Sequence, residues 1–360
     1  MKRMRVAVVG CGHLGAIHAR LLAGRSDAQL VAVVDPFPAA REKVAVEHRC
    51  EALSEPMDLV GKVDVAIVAA PTGRHAAVAL PLLEAGIDLL IEKPIAATVE
   101  EARSIVTTAR RYGRTVAVGH VERFNPAWRM AVERAGRIVS IESLRLAPFT
   151  FRCMDVGVVH DLMIHDIDLV LSLEPGRLER VDAQGLIATG GHEDAVRAQL
   201  VFSSGLIAHL TASRIHPTLH RGLSLWSSEG VVSVDFQAKA VEVVAPSLAV
   251  RTGGFVADHV PLEQRATMKE KFFTDILPRE SLAIPETNAI VCEHDDFLGA
   301  VRDGRQPLVP ASAGAAALEI ANRVIDTLRC THFGDGDGRR TAHPQAPPIV
   351  PLPGRLRRTG

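Results

Sequence analysis

Lys93 follows the apolar run Leu89-Leu90-Ile91 and is held by Pro94 on its other side. A lysine at the end of a buried run can set its ammonium against a reacting oxygen; on that fragment alone it also reads as a surface lysine. The segment from Asp161 to Asp168 carries a second set of groups. On a helix, Asp161, His165 and Asp168 fall at i, i+4 and i+7 and share one face, with Leu162, Ile167, Leu169 and Val170 turned inward. Aligned ionisable groups suit proton handling, with an aspartate holding an imidazole that acts as general base. His160 and His165 stand five apart, not the four of helical zinc ligands, so no metal is expected.

Further polar residues cluster near these. His120, Arg123 and Asn125 lie in Gly119-His-Val-Glu-Arg-Phe-Asn-Pro126, where one pattern of elements gives way to another, and such junctions hold substrate clefts. Each reads as a substrate contact, with helix capping as the alternative for Arg123 and Asn125. Arg214 and Arg221, which flank a strand-to-strand connection, would suit a diphosphate; paired surface charges are the equal alternative.

Gly10-Cys-Gly12-His13-Leu14-Gly15 directly follows the apolar run Val6–Val9 and opens a helical stretch. Gly10 permits the tight turn, Gly12 lets the backbone approach a pyrophosphate, and Gly15 allows close helix–strand packing. The helix start then offers amide N–H groups, here of residues such as His13 and Leu14, to the phosphates. Asp35 ends the next apolar run, where its carboxylate can bind both hydroxyls of an adenosine ribose and repel a 2′-phosphate. NAD is therefore expected over NADP, with Arg41 the nearby residue that favours the opposite choice. Ala70, Pro71 and Thr72, with His75 just beyond them, and Glu92 with Lys93, complete the expected cofactor contacts.

The elements that must position these groups change type along the chain. Up to residue 120, apolar β-branched runs alternate with helical segments, the pattern of a doubly wound parallel sheet covered on both faces. Thr98-x-x-Glu101 reads as a capping box. From 121 to 330, two helical stretches (Pro126–Ala135 and Asp161–Leu173) accompany alternating strands joined by Ser/Gly turns, which predicts antiparallel meanders and an α+β domain closed by helices over Ala289–Asp303 and Ala311–Leu328. Residues 331–360, rich in Gly and Pro, read as a disordered tail.

Bulk properties narrow the classes. The 360 residues suffice for two cores, and 47% hydrophobic with 23% charged residues is a globular composition. With 41 basic and 42 acidic residues the net charge is −1, which provides no footprint for nucleic acid or an anionic membrane. The apolar run after the basic N-terminus is too short for a signal segment, no run reaches a membrane span, and five scattered cysteines lack any C-x-x-C pair. A reduced, cytoplasmic protein is expected.

The joint pattern resembles the glucose–fructose oxidoreductase / inositol dehydrogenase / MocA (Gfo/Idh/MocA) family. The matching pieces are G-x-G-x-x-G-x-x-H from Gly10 to His18, Glu92-Lys93-Pro94, and Asp161-x-x-x-His165-x-x-Asp168, within residues 1 to about 330. The resemblance implies a Rossmann domain followed by a domain built on a large open, mostly antiparallel sheet whose free face makes homodimers or homotetramers. It implies that Lys93, Asp161 and His165 are catalytic: His165 takes a hydroxyl proton, Lys93 polarises the oxygen, and a nicotinamide accepts the hydride without a metal. The Gly119–Pro126 and Asp155–Asp168 segments are similar to the nucleotide-sugar branch of the family. That implies a nucleotide-sugar substrate oxidised at its C3 hydroxyl, feeding an aminotransferase on the way to lipid A. His160 stands where an aliphatic residue is expected and is assigned to tuning the dyad or touching substrate. An inositol- or glucose-type polyol dehydrogenase and a non-catalytic NAD-sensing protein are the rival readings.

Overall fold

The computed structural model describes residues 3–151, 153–154, 156–333 and 341–342. The apolar runs of the N-terminal part form strands because both of their faces are covered. In the order of the chain these are β1 (Met4–Val9), α1 (His13–Ala23), β2 (Ala28–Val34), α2 (Pro38–His48), β3 (Glu51–Leu53), β4 (Val65–Val68), α3 (His75–Glu84), β5 (Asp88–Glu92), α4 (Val99–Arg111) and β6 (Val116–Gly119). The strands lie in the order β3-β2-β1-β4-β5-β6, all parallel. Every residue of β4 and β5 is buried, as a strand sandwiched between two helical layers must be. The Thr98–Glu101 capping box is formed and starts α4.

The second part contains α5 (Pro126–Ala135), β7 (Ile138–Leu146), α6 (Ile164–Leu171), β8 (Leu178–Ile187), β9 (Ala195–Phe202), β10 (Ile207–Ser213), β11 (His220–Ser227), β12 (Gly230–Asp235) and β13 (Ala240–Val244). The short α7 (Leu248–Arg251), then α8 (Leu262–Glu270), β14 (Arg279–Leu282), α9 (Ala289–Asp303), α10 (Ala311–Thr327), β15 (Leu328–His332) and the two-residue β16 (Thr341–Ala342) follow. The sheet order is β14-β13-β12-β11-β7-β10-β9-β8-β15-β16; β7 with β10 and β8 with β15 are parallel, the rest antiparallel. This is the expected α/β plus α+β arrangement. The sequence reading passed over β3, and over everything between Val244 and Ala289.

Three boundaries differ from expectation. The stretch expected as one helix from Asp161 to Leu173 opens with a π turn, Val159–Met163, before α6. β15 crosses the limit set at 330, and Thr341–Ala342 pairs with Arg329 and Cys330; the rest of the stretch read as a tail lies outside the described residues. The chain also does not divide cleanly at residue 120. Phe297 and Leu298 of α9 join the core of β1, β2 and α1, while Val309, Ala311 and Leu318 join the core on the other face of the same sheet. Val118 N–H donates to the Val309 carbonyl at 2.9 Å. Farther along, Ala317, Ala321 and Val324 of α10 belong to the core of the second sheet, so this one helix is packed into both.

Gly314 marks the closest approach of α10 to the parallel sheet, since a Cβ there would sit 2.7 Å from a methyl of Val118. Gly314→Val is accordingly expected to cost about 1–3 kcal/mol through overpacking. A thermal melt measures this, and an unchanged midpoint would contradict the close contact.

Candidate active site

In a parallel sheet all strands end on one edge, so the loops after β1, β2, β4, β5 and β6 converge there. Gly10 takes φ +99°, a conformation open to glycine, and a Cβ on Gly15 would lie 1.8 Å from the Gly10 carbonyl oxygen. Gly12, by contrast, has open space on its Cβ side. The loop is thus tightened from beneath and clear where a pyrophosphate would approach the start of α1, whose residues His13 and Leu14 are exposed. Asp35 accepts from the Cys11 amide at 2.8 Å with one oxygen and from the Phe37 amide at 2.9 Å with the other. Each oxygen keeps a further acceptor position for a ribose hydroxyl. Arg41 is turned to the carbonyls of Asp35 and Pro36. These residues fit a dinucleotide.

Two expected cofactor contacts have internal partners instead. His75 is buried with its ring nitrogens 2.8 Å from the Ala70 carbonyl and 2.9 Å from the Pro94 carbonyl, and burial holds its pKa below the ordinary imidazole value. It lies between the loop of Ala70, Pro71 and Thr72 and the loop of Lys93, its single N–H able to donate to one of the two carbonyls. Glu92 points into the interior. One of its oxygens lies 2.9 Å from His18 Nε2, and the other accepts the Lys93 amide. Burial opposes its charge, but His18 and Lys93 outweigh that and hold its pKa low. His18 reaches on to His294 of α9 at 2.8 Å. Sequence reading marked His18 only as part of a motif and missed His294, which lies 276 residues away and carries no local signal.

Lys93 Nζ leaves the edge of the sheet and crosses to the other domain, donating to the Asp161 backbone carbonyl at 2.7 Å and to its carboxylate at 3.1 Å. The expected dyad is therefore rearranged: the Asp161 carboxylate holds Lys93, not His165. A π turn, Val159–Met163, carries Asp161, and His165 follows in the first turn of α6. His165 is half-buried, and its Nδ1 has no hydrogen-bond partner among the described residues. Its pKa lies well below the ordinary value because of burial first, then the charge of Lys93, with Arg145, His120 and Arg221 acting the same way. The ring is a neutral base at neutral pH.

Asp168 is fully buried and takes a two-pronged salt bridge from Arg123 at 2.7 and 2.8 Å. Arg123 is thereby committed to α6 and not to substrate. Asn125 caps α5 by accepting from the Ala127 amide and donates to Glu122. His160 lies 2.7 Å from the Asn322 oxygen on α10, away from the dyad position. Arg214 is buried against Asp194 and the carbonyls of Cys153 and Val156. His120 is 1% exposed and stands against His165 rather than on an open wall. Of the substrate residues expected outside the Lys93–His165 pair, Arg221 alone is exposed; it lies on the same face of β11 as buried Leu223, and its charge reaches His165. The bracing pair of Arg145 with Asp166 and Glu122 was not anticipated, although Arg145 falls on the inward face of β7 with Ile141 and Ser143.

Residues 4–120 match the oxidoreductase family, NAD-binding Rossmann fold, and residues 126–233 match the GFO/IDH/MocA C-terminal domain. UDP-N-acetylglucosamine 3-dehydrogenase of Acidithiobacillus ferrooxidans is 32% identical over 325 residues, 90% of this chain and 97% of that protein. The chain belongs to the Gfo/Idh/MocA family. A solved structure of the same Acidithiobacillus enzyme superposes with a TM-score of 0.79 at 30% identity, covering 91% of this chain and 98% of that one. Inositol 2-dehydrogenase of Rhizobium meliloti is 27% identical, with 90% and 97% covered. The protein is thus an oxidoreductase of this family, a dehydrogenase that uses NAD and acts on a CH–OH group. Among the described residues no helix is long and apolar enough to cross a membrane.

Asp35→Ala is expected to weaken NAD more than NADP in equilibrium titrations. A loss equal for both would assign the carboxylate only to bracing the Cys11 amide. Lys93→Ala and His165→Ala are expected to lower turnover by at least roughly 100-fold while NAD still binds; loss of NAD binding would move either residue to the cofactor site.

Proposed function

We propose that the protein oxidises the C3 hydroxyl of a UDP-linked amino sugar, UDP-N-acetylglucosamine or a close analogue, to the 3-ketone. The observation that carries this reading is the 32% identity, across 90% of the chain, to an enzyme with that activity. Arg221 supports it, as an exposed cation beside the base and suited to a diphosphate. Lys93 hydrogen-bonds the substrate oxygen through its ammonium, oriented by the two Asp161 acceptors. His165, neutral before reaction, accepts the hydroxyl proton. NAD, cradled by Gly10, Gly12, Gly15 and Asp35, supplies when bound the acceptor for the hydrogen on the carbinol carbon. We further infer a cytoplasmic homo-oligomer joined through the free face of the second sheet, where Trp226 is 48% exposed.

A second reading is supported by the inositol dehydrogenases among the relatives: a free cyclic polyol as substrate. Formation of NADH, followed by absorbance with UDP-N-acetylglucosamine, myo-inositol and glucose in parallel, separates the two. An aminotransferase that consumes the 3-ketone is included to pull the equilibrium. Turnover with the UDP-sugar alone is expected; turnover with myo-inositol alone would overturn the substrate and leave the family and chemistry standing.

A further inference from the structure

Alcohol oxidation divides the substrate's two hydrogens unequally. The carbon-bound hydrogen leaves with its electron pair to the nicotinamide, and the O–H bond breaks as C=O forms, leaving one proton on the base. That proton must then leave the site before the enzyme can turn over again. Here Asp161 is bound to Lys93, and the inner nitrogen of His165 faces the interior with no partner.

The aromatic neighbour of the His165 ring is His120. Its ring stands edge-to-face with that of His165, centroids 6.3 Å apart, and it is 1% exposed. Among the described residues neither of its ring nitrogens has a hydrogen-bond partner. A buried polar atom left unpaired is costly, and native folds keep few such atoms. Two adjacent imidazoles leave three of them together. The groups acting on His120 are Asp168, Arg123, Lys93 and Glu92, and those acting on His165 are Lys93, Arg145, His120 and Arg221. Burial opposes a proton on His120 and, with the Arg123 and Lys93 charges, holds its pKa below the ordinary imidazole value; the Asp168 and Glu92 charges favour one. The four groups acting on His165 all oppose one there.

We propose that His120 is a relay residue that receives, from the inner nitrogen of His165, the proton that His165 takes from the substrate hydroxyl. The inference rests on the reading of His165 as the base. As the outer nitrogen of His165 gains the hydroxyl proton, the inner N–H bond breaks toward His120, directly after a small closure of the rings or through one bridging water. His165 returns to neutral, and the cationic His120 holds the proton near Asp168 and Glu92 until product release, when it passes back through half-buried His165 to solvent.

The test uses the NAD-loaded enzyme with His120→Phe, which keeps the ring volume, and His120→Asn, which keeps a polar group. The expected result is a fall of roughly 10- to 100-fold in kcat, with KM and NAD affinity within about twofold. The acidic limb of the pH profile moves to higher pH, because His165 loses a neighbour that holds its pKa down. Nitrogen-15 spectra of the histidine rings, recorded with NAD and no sugar, are expected to show His165 and His120 titrating as a linked pair in the unmodified protein. In His120→Phe, His165 is expected to titrate in one step. Independent titration in the unmodified protein, or an unmoved acidic limb in both variants, overturns the relay. If instead His165→Ala keeps full turnover, the base assignment itself fails, an outcome distinct from failure of the relay alone.

Discussion

The ammonium of Lys93 is the point at which the two sheets of the molecule are joined at the chemistry. It starts from the carboxyl edge of the parallel sheet and ends on a carbonyl and a carboxylate of the other domain. Both partners are largely shielded, with side chains 15% and 24% exposed. Losing either one would leave the other charge short of solvent and of a counter-ion. The contact that orients the ammonium is therefore also a contact between the parallel sheet and the second domain.

Around this pair the structure separates charges that are satisfied from imidazoles that are not. Arg123 with Asp168, and Arg145 with Asp166 and Glu122, fix α6 to the end of the parallel sheet and to β7. Glu92 with His18 fixes the strand end beneath Lys93. With these positions taken by closed ion pairs, the groups left to respond to a substrate are His165, His120 and Arg221. The bracing charges confer rigidity, and the site keeps its freedom in neutral rings.

Much of this was legible from periodicity. Fully apolar runs announced the parallel sheet, and glycines of the right spacing announced the loop that Gly10 and Gly15 shape. Lys93 stood out because a lysine between a buried run and a proline has little reason to be at a surface. What could not be read was anything that depends on where two distant segments meet. Arg123 read as a substrate contact and Arg214 as a ligand for a diphosphate because their carboxylates, Asp168 and Asp194, lie 45 and 20 residues away. The dyad was misassigned for the same reason: nothing near Asp161 in the sequence shows that Lys93, 68 residues earlier, takes its carboxylate.

The return of the C-terminal helices has a consequence for the order in which the molecule is made. Synthesis delivers the first sheet and its nucleotide loop early, but Phe297, Leu298, Val309, Ala311 and Leu318, which complete the cores on its two faces, emerge only after strands β7 to β14 of the second sheet. Until then the nascent nucleotide domain carries uncovered apolar surface on both sides. The ribosome thus releases a polypeptide whose earliest domain is finished last, and α10, packed into both cores, closes the two halves in one late step.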